Sequence, residues 1–200
     1  MKISDQVIQI AIPDHWSTTI PPLQHSVYGA AIMYNIFEPL VHRGENGLIE
    51  PMGAKSWERS ADFKTLRFNI DTSRRYSDGS YLTAGDFKRS WEEGLKMEPK
   101  SSNRSVLDTL YSVKGFDLFA EKGTIEGVRV LNDSILEIEF EKPVRTALEY
   151  LAGVRYAAFK LVNGKAIGTG PYVAHENGKS LKFTPNPYYR GEETLFQEVN

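Results

Sequence analysis

The stretch YSDGSYLTAGDF, from Tyr76 to Phe87, combines a turn signal with a helix-start signal. The dipeptide Asp-Gly at 78–79 favours a tight turn, because glycine adopts a positive φ without steric cost. Thr83 and Asp86 have the spacing of a helix N-cap followed by an acidic residue three positions later. We therefore predict a strand-to-helix corner, in which the Thr83 side chain caps a helix running from Phe87 to Leu95 and Asp86 closes the capping box.

The segments around this corner predict a mixed α/β protein. Three pairs of alternating apolar segments, each pair separated by turn residues, predict β-hairpins over 55–71, 124–143 and 171–186. A further buried strand is predicted from Gln6 to Pro13. Apolar residues at helical spacing predict helices at Val27–Leu40, Val106–Glu121 (broken near Gly115) and Val144–Leu151, and the first of these is expected to be well buried.

Composition excludes several classes of protein. The 200-residue chain carries 24 basic and 26 acidic side chains and a net charge of −2, which argues against nucleic-acid binding. It contains no cysteine, so disulfides, thiolate metal sites and cysteine nucleophiles are excluded. No stretch approaches the roughly 20 apolar residues that a membrane helix needs. No secretory signal pattern is visible at the start, which fits a cytoplasmic protein or a trimmed chain with an added Met.

The candidate chemical motifs favour neither an enzyme nor a metalloprotein. GKAIGTG, at 164–170, lacks the spacing of a phosphate-binding loop, and no nucleophile elbow is present. The four histidines have no helical metal-ligand spacing. Trp57 and Trp91 are in phase with apolar neighbours, which favours the core. Trp16 lies in a loop after a strand end, where a ligand contact and simple packing are equally plausible.

Four ordered motifs resemble the family 5 extracellular solute-binding proteins, which include the oligopeptide-, dipeptide- and nickel-binding receptors of ABC importers. The first motif is NIFEPL followed by PMGAKSWE, and the second is YSDGSYLTAGDF. The third and fourth are GTGPYV and FTPNPYYRG. The chain departs from the family pattern at Pro185, where the family has an arginine.

The resemblance implies the first lobe of a two-lobed, type II periplasmic-binding-protein fold. It places the lobe core at residues 1–42 with 163–200, and an inserted subdomain at 43–162. Because family members are much longer, it also implies that this chain is a fragment. The resemblance also implies a monomeric receptor whose two lobes close over a ligand. Such a receptor works with a membrane permease, in the periplasm or outside the cell, with or without a lipid anchor. It implies no cofactor.

The resemblance also implies where a peptide or other small solute would bind. An extended segment just before the first helix of the family falls on His25, Ser26 and Val27. Alternatively, His25 and Ser26 only precede and cap that helix. In the peptide-binding members an aromatic side chain reaches into the ligand cleft. The matching residues here, 103–105, include no aromatic residue, so the resemblance does not decide which type of solute binds. A solute-sensing domain of a regulatory protein is the alternative function.

Overall fold

The computed structural model describes residues 7–8, 18–97, 108–177, 180–191 and 198–199. Within these residues the α-helices are α1 (Val27–Met33), α2 (Ala84–Met97), α3 (Phe119–Lys122) and α4 (Ala147–Leu151). The strands are β1 (Val7–Ile8), β2 (Val41–Arg43), β3 (Ile49–Pro51), β4 (Ala54–Arg59), β5 (Thr65–Ile70), β6 (Val128–Asn132), β7 (Ile135–Glu139), β8 (Lys160–Val162), β9 (Lys165–Ile167), β10 (Tyr172–Asn177), β11 (Ser180–Pro185) and β12 (Glu198–Val199). Short 3-10 helices lie at Pro21–Leu23, Asp108–Ser112, Phe116–Leu118 and Val154–Tyr156.

The first sheet has the strand order β1-β12-β11-β10. The predicted hairpin at 171–186 is confirmed, since β10 and β11 pair in antiparallel register from Tyr172↔Pro185 to Asn177↔Ser180. β1 pairs in parallel with β12, so the described segments nearest the two chain ends are neighbours in one sheet. Leu181 and Phe183 are buried on one face of this sheet.

The second sheet has the order β4-β5-β7-β6, with every pair antiparallel, which confirms the two other predicted hairpins. Alternate residues of a strand point to the same face. On one face Leu66, Phe68, Leu136 and Ile138 are buried, and they belong to the same core as residues of α2.

The opposite face of the second sheet carries charges of alternating sign. Glu58 pairs in register with Arg67, Arg67 with Glu137, and Glu137 with Arg129, so the row crosses all four strands. Arg67 and Arg129 each donate to Glu137, with terminal N···O distances of 2.6 Å. These hydrogen bonds lower the pKa of Glu137 below its usual value, Arg129 making the largest contribution and Arg67 the next.

Two hydrophobic cores lie on either side of the segment from Ile36 to Val41. The larger core contains α2 and the inner face of the second sheet, together with Leu40 and Val41. The smaller core contains Ile36 and Phe37, packed with residues of the first sheet and of the 154–159 region. The indole of Trp91 in the larger core donates to the carbonyl of Tyr156 at 2.8 Å, which confirms the core prediction for this tryptophan.

The helix predicted over Val27–Leu40 is wrong in length and in burial. The α-helix ends at Met33, and most of its residues are exposed or half-buried. Beyond it the main chain is engaged elsewhere: the Ile36 carbonyl accepts from Gly170, and the Leu40 carbonyl accepts from Ala54. A helix that ran to Leu40 would use the Ile36 carbonyl as the acceptor for the Leu40 N–H, and that carbonyl accepts from Gly170 instead.

The helical region predicted over Val106–Glu121, with a break near Gly115, is confirmed at the break but not as α-helix on both sides of it. The described part contains two 3-10 helices and the four-residue α3. Gly115 adopts a φ of 70°, which interrupts the helical conformation between them. The helix predicted over Val144–Leu151 is confirmed in a shorter form as α4.

The corner at 76–87 is confirmed, and so is the closing of the capping box by Asp86, whereas the predicted cap by the Thr83 side chain is wrong. Helix α2 begins at Ala84 and runs to Met97, beyond both predicted ends. The carboxylate of Asp86 accepts from the N–H of Thr83 at 2.9 Å and from the Thr83 hydroxyl at 3.0 Å. The hydroxyl therefore donates to Asp86 instead of accepting from a helix N–H, so the carboxylate is the capping group.

The sequence motifs at the corner and near the C-terminus meet in space. Gly168 accepts from the N–H of Ser77 at 3.1 Å, and the Asn186 side chain donates to the carbonyl of Gly170 at 2.9 Å. A Cβ at Gly170 would lie 2.6 Å from the carbonyl carbon of Ile36, so only glycine permits this approach. The motifs thus form the joint between the two sheets.

Candidate functional site

The predicted ligand segment, His25 to Val27, forms the entry to α1. Ser26 is the N-cap, with extended backbone angles, and its Oγ accepts from the N–H of Gly29 at 3.3 Å. Ser26 therefore caps α1, which confirms the alternative interpretation of this residue. His25 is exposed, and 78% of the Val27 surface is exposed.

The main chain of His25 is open to a ligand. Within the described residues, neither its N–H nor its C=O has a hydrogen-bond partner. Extended main chain with free donors and acceptors can bind another extended main chain, as in the addition of a strand. The residue therefore offers a peptide-like solute one donor and one acceptor.

Gln24 fixes the position of this segment, which we call the 24–27 segment. Its side chain is fully buried. The amide oxygen accepts from the N–H of Ser26 at 2.9 Å, and the amide nitrogen donates to the carbonyl of Thr18 at 3.0 Å. The amide occupies the space above Gly29, where a Cβ would lie 2.2 Å from the amide nitrogen. Gln24 and Gly29 are thus complementary in shape.

Arg155 lies against the same segment from the 3-10 helix Val154–Tyr156. Its Nε donates to the Gln24 carbonyl at 2.7 Å, and its side chain is half-buried. The phenol of Tyr34, at the end of α1, donates to the carbonyl of Ala152 and accepts from the N–H of Val154, both at 3.1 Å. The helix that carries Arg155 is therefore tied to α1.

A buried ion pair lies behind α1, where the chain enters the joint between the sheets. Glu38 is almost completely buried and accepts from Arg74 at 2.5 Å. Burial raises the pKa of Glu38, and the nearby Arg74 only partly offsets this effect. The pair is a structural feature of the joint, since burial separates it from solutes.

Two predicted features lie outside the described residues: Trp16, and the loop at 103–105. Among the described residues, no group of three or more histidine, aspartate or glutamate side chains could hold a metal ion. The described helices are also too short or too polar to span a bilayer.

A cleft of about 320 Å³ lies elsewhere, beside the β8–β9 hairpin and β10. Its polar lining comes from Ser77, Asn163, Lys165 and His175, and it includes no residue of the 24–27 segment. Three of these four side chains are exposed. We favour the 24–27 segment, because it combines the buried side chain of Gln24 with the main chain of His25, which has no hydrogen-bond partner among the described residues.

Sequence reasoning missed Gln24 and Arg155. Gln24 stands in a polar, proline-rich loop and carries no motif. Arg155 has a signal in the sequence, since it is the single charged residue in the run YLAGVRYAAF at 150–159. A lone charge in an apolar run needs a polar partner or a functional role.

Comparison with known proteins gives consistent matches. The model of the bacterial extracellular solute-binding proteins, family 5 (middle part), matches residues 49–200. The dipeptide-binding protein DppE of Bacillus subtilis is 30% identical over 139 residues, which cover 68% of this chain and 25% of DppE. The nickel-binding periplasmic protein of Escherichia coli is 24% identical over 204 residues, which cover 96% of this chain and 38% of that protein.

A solved structure shows the same fold. The crystal structure of Haemophilus influenzae OppA in complex with RPPGFSPFR has a TM-score of 0.81 and 21% identity, and it covers 100% of this chain and 42% of OppA. The mixed α/β fold predicted from sequence, of the periplasmic-binding-protein type, is thereby confirmed. In these comparisons the chain spans between a quarter and about two fifths of the relatives' length.

Proposed function

This chain belongs to the bacterial extracellular solute-binding proteins of family 5, and on that premise we propose that it helps to capture a peptide or a similar small solute for an ABC importer. The family consists of binding proteins, and the relatives named above are described as binding dipeptides and nickel. The observation that carries the proposal is the open main chain of His25, held by the buried Gln24.

The proposed division of the chain has a lobe core at 1–42 with 163–200, and an inserted subdomain at 43–162. The second sheet and α2 lie within the proposed subdomain, whereas the described strands of the first sheet lie in the proposed core. In this arrangement the 24–27 segment belongs to the lobe core. The proposed receptor is a non-enzymatic monomer that delivers its solute to a membrane permease.

The proposed location is the periplasm or the outer side of the cell membrane, where a lipid anchor would hold the protein near its permease. Support comes from the E. coli relative, which is named as a periplasmic protein. Detection of the protein in a periplasmic extract, and not in the cytosol, is the expected outcome of cell fractionation.

The proposal is tested by changing the main chain of the segment. His25→Pro removes the N–H that would bind the solute, and the preceding Gln24 is already in the extended conformation that proline requires. His25→Ala is the matched control, because it removes the side chain and keeps the N–H. The protein expressed from its complete reading frame is titrated calorimetrically with trialanine.

We expect micromolar binding that survives His25→Ala and weakens at least about tenfold with His25→Pro, since a net hydrogen bond contributes about 0.5–1.5 kcal/mol and a misplaced ligand loses more. Equal binding by the two variants would remove the segment from the site. Absence of binding by the unaltered protein would contradict the proposal for peptides.

A further inference from the structure

Phe63 lies in the turn between β4 and β5, with a main-chain conformation that bulky residues seldom adopt. Its φ is 59°, in the left-handed region. The turn is closed by main-chain bonds: the Phe63 N–H donates to the Ser60 carbonyl, and the Phe63 carbonyl accepts from Val144, both at 3.0 Å. Glycine would adopt this conformation without steric cost, whereas a bulky side chain stores strain there. The strain points to a role for the ring beyond closing the turn.

Two arginine side chains stack on this ring. The guanidinium carbon of Arg59, at the end of β4, lies 4.4 Å from the ring centre. That of Arg145, two residues before α4, lies 4.1 Å from it. A cation over an aromatic face is attracted by the negative charge density of the ring. Both arginines are exposed, so the ring holds two guanidinium groups in place at the surface.

Two lysines belong to the same part of the surface. Lys64 follows Phe63 in the turn, and Lys142 lies two residues before Val144, whose N–H binds the Phe63 carbonyl. Four cations, together with Phe63, make up what we call the basic patch: Arg59, Lys64, Lys142 and Arg145. None of these cations forms an ion pair with another residue in the described part of the chain.

The neighbouring carboxylates do not neutralise the basic patch. Asp62 accepts from the Ser60 hydroxyl at 2.6 Å and from the Lys64 N–H at 3.1 Å. The bond from Ser60 is the main cause of its lowered pKa. Glu141 accepts from a main-chain N–H at 3.3 Å, and Glu58 belongs to the charged row on the outer face of the sheet. Four cations and two carboxylates leave a surplus of two positive charges, although the net charge of the chain is −2.

The shape of the basic patch favours a broad partner over a small one. It lies at a hairpin turn, and the cleft of about 320 Å³ includes none of its residues. A surface that carries many anions can contact all four cations together. Long cationic side chains beside an aromatic ring suit the headgroup region of a lipid bilayer, where the cations reach phosphate groups and the ring reaches the apolar boundary.

We propose that the basic patch docks on an anionic lipid surface, so that this end of the second sheet rests against the membrane. Each Lys or Arg near such a surface strengthens binding about fivefold, so a surplus of two gives about 25-fold. That is weak in dilute solution, but it can orient a protein that is already held near the membrane. The inference goes beyond the proposed function, because it involves neither the solute nor the 24–27 segment.

The test is co-sedimentation with vesicles at low salt. The protein is produced in the cytosol from its complete reading frame, so that no lipid is attached. One set of vesicles contains equal parts of phosphatidylglycerol and phosphatidylcholine, and the other contains phosphatidylcholine alone. The main variant combines Arg59→Gln with Arg145→Gln. The matched control combines Lys165→Gln with Arg190→Gln, which removes the same charge from two exposed residues outside the second sheet.

We expect the unaltered protein to bind only the anionic vesicles and to be released by high salt. The main variant should bind at least about tenfold more weakly, whereas the control should stay within about twofold of the unaltered protein. Phe63→Gly keeps the net charge and suits the positive φ, so it should fold normally. It should nevertheless bind more weakly, because the two guanidinium groups lose the ring on which they stack.

Three outcomes would overturn the inference: no binding to anionic vesicles by the unaltered protein, equal losses in the main variant and the control, or full binding by Phe63→Gly. Calorimetric titration of the same variants with trialanine separates this inference from the proposed function. Trialanine binding should be unchanged in the main variant. Failure with vesicles and intact trialanine binding would refute the membrane contact alone.

Discussion

Replacing Asp86 by alanine should destabilise the protein more than replacing Thr83. The Asp86 carboxylate is buried and accepts three hydrogen bonds: from the N–H of Thr83, from the Thr83 hydroxyl and from Arg89 at 2.8 Å. The Thr83 hydroxyl takes part in only one of these three hydrogen bonds. A conventional N-cap would reverse the order, because the threonine oxygen would then hold the helix start.

The magnitude follows from these contacts. Loss of the N–H cap costs about 1 kcal/mol, as for other helix caps. Loss of a negative charge in the first turn of a 14-residue helix costs about 0.3–1 kcal/mol more. The bond to Arg89 adds little, because this side chain is 35% exposed and keeps its bond to the carbonyl of Phe159. We therefore expect a loss of about 1.3–2 kcal/mol for Asp86→Ala and of about 0.5–1 kcal/mol for Thr83→Ala.

Urea denaturation followed by circular dichroism measures both losses, because the transition midpoint reports stability when the slope is unchanged. Asp86→Asn is the control, since it keeps an oxygen acceptor for the Thr83 N–H and removes the charge. Its midpoint should lie between those of the unaltered protein and Asp86→Ala. A larger loss for Thr83→Ala than for Asp86→Ala would show that the hydroxyl, and not the carboxylate, caps the helix.

Three further predictions concern the joint, the charged row and the brace of the proposed site. Gly170→Ala should lower the free energy of unfolding by about 1–3 kcal/mol, because the new Cβ would clash with Ile36. Gly85→Ala in α2 should raise it by about 0.5–1 kcal/mol, because the new Cβ would have only one neighbour, at 3.6 Å. Thermal melts of both variants test this contrast. The pKa of Glu137 is lowered in the folded protein, so its contribution to stability is present above the unfolded pKa of about 4.3 and is lost as the pH falls through the lower folded pKa. Glu137→Gln should therefore make stability fall less steeply on the acid side of the stability–pH curve. A curve of unchanged shape would contradict this. Gly29→Ala should displace the Gln24 amide and weaken solute binding, but should have little effect in a Gln24→Ala background, so additive losses in calorimetry would refute the complementarity of the two residues.

The sequence predicts the sheets better than the helices. The hairpins around Arg67, Glu137 and Lys182 alternate apolar and polar residues, and that period depends only on the local pleat. The length of α1 depends instead on a distant partner, because Gly170 takes the Ile36 carbonyl that a helix running to Leu40 would use. Local pattern contains no information about such partners.

Some residues of the candidate site can be predicted from the sequence, and others only from the fold. His25, Ser26 and Val27 were found through the position of a family motif, and Ser26 also through its capping chemistry. Gln24 and Arg155 are far apart in sequence, and only the fold shows that the one anchors the other. The contact of the Arg155 Nε with the Gln24 carbonyl joins residues 131 positions apart, so it becomes visible only in three dimensions.

The segment from Ile36 to Val41 determines whether the two cores can unfold independently. Its side chains are shared between the two cores, and its carbonyls bind Gly170 on one side and Ala54 on the other. Neither core can open without disturbing this segment and its main-chain bonds to the other side. The two cores, with the sheets packed on them, should therefore unfold as one cooperative unit. In native-state hydrogen exchange, the amides of Gly170 and Ala54 should then exchange with the same free energy of opening and respond equally to denaturant.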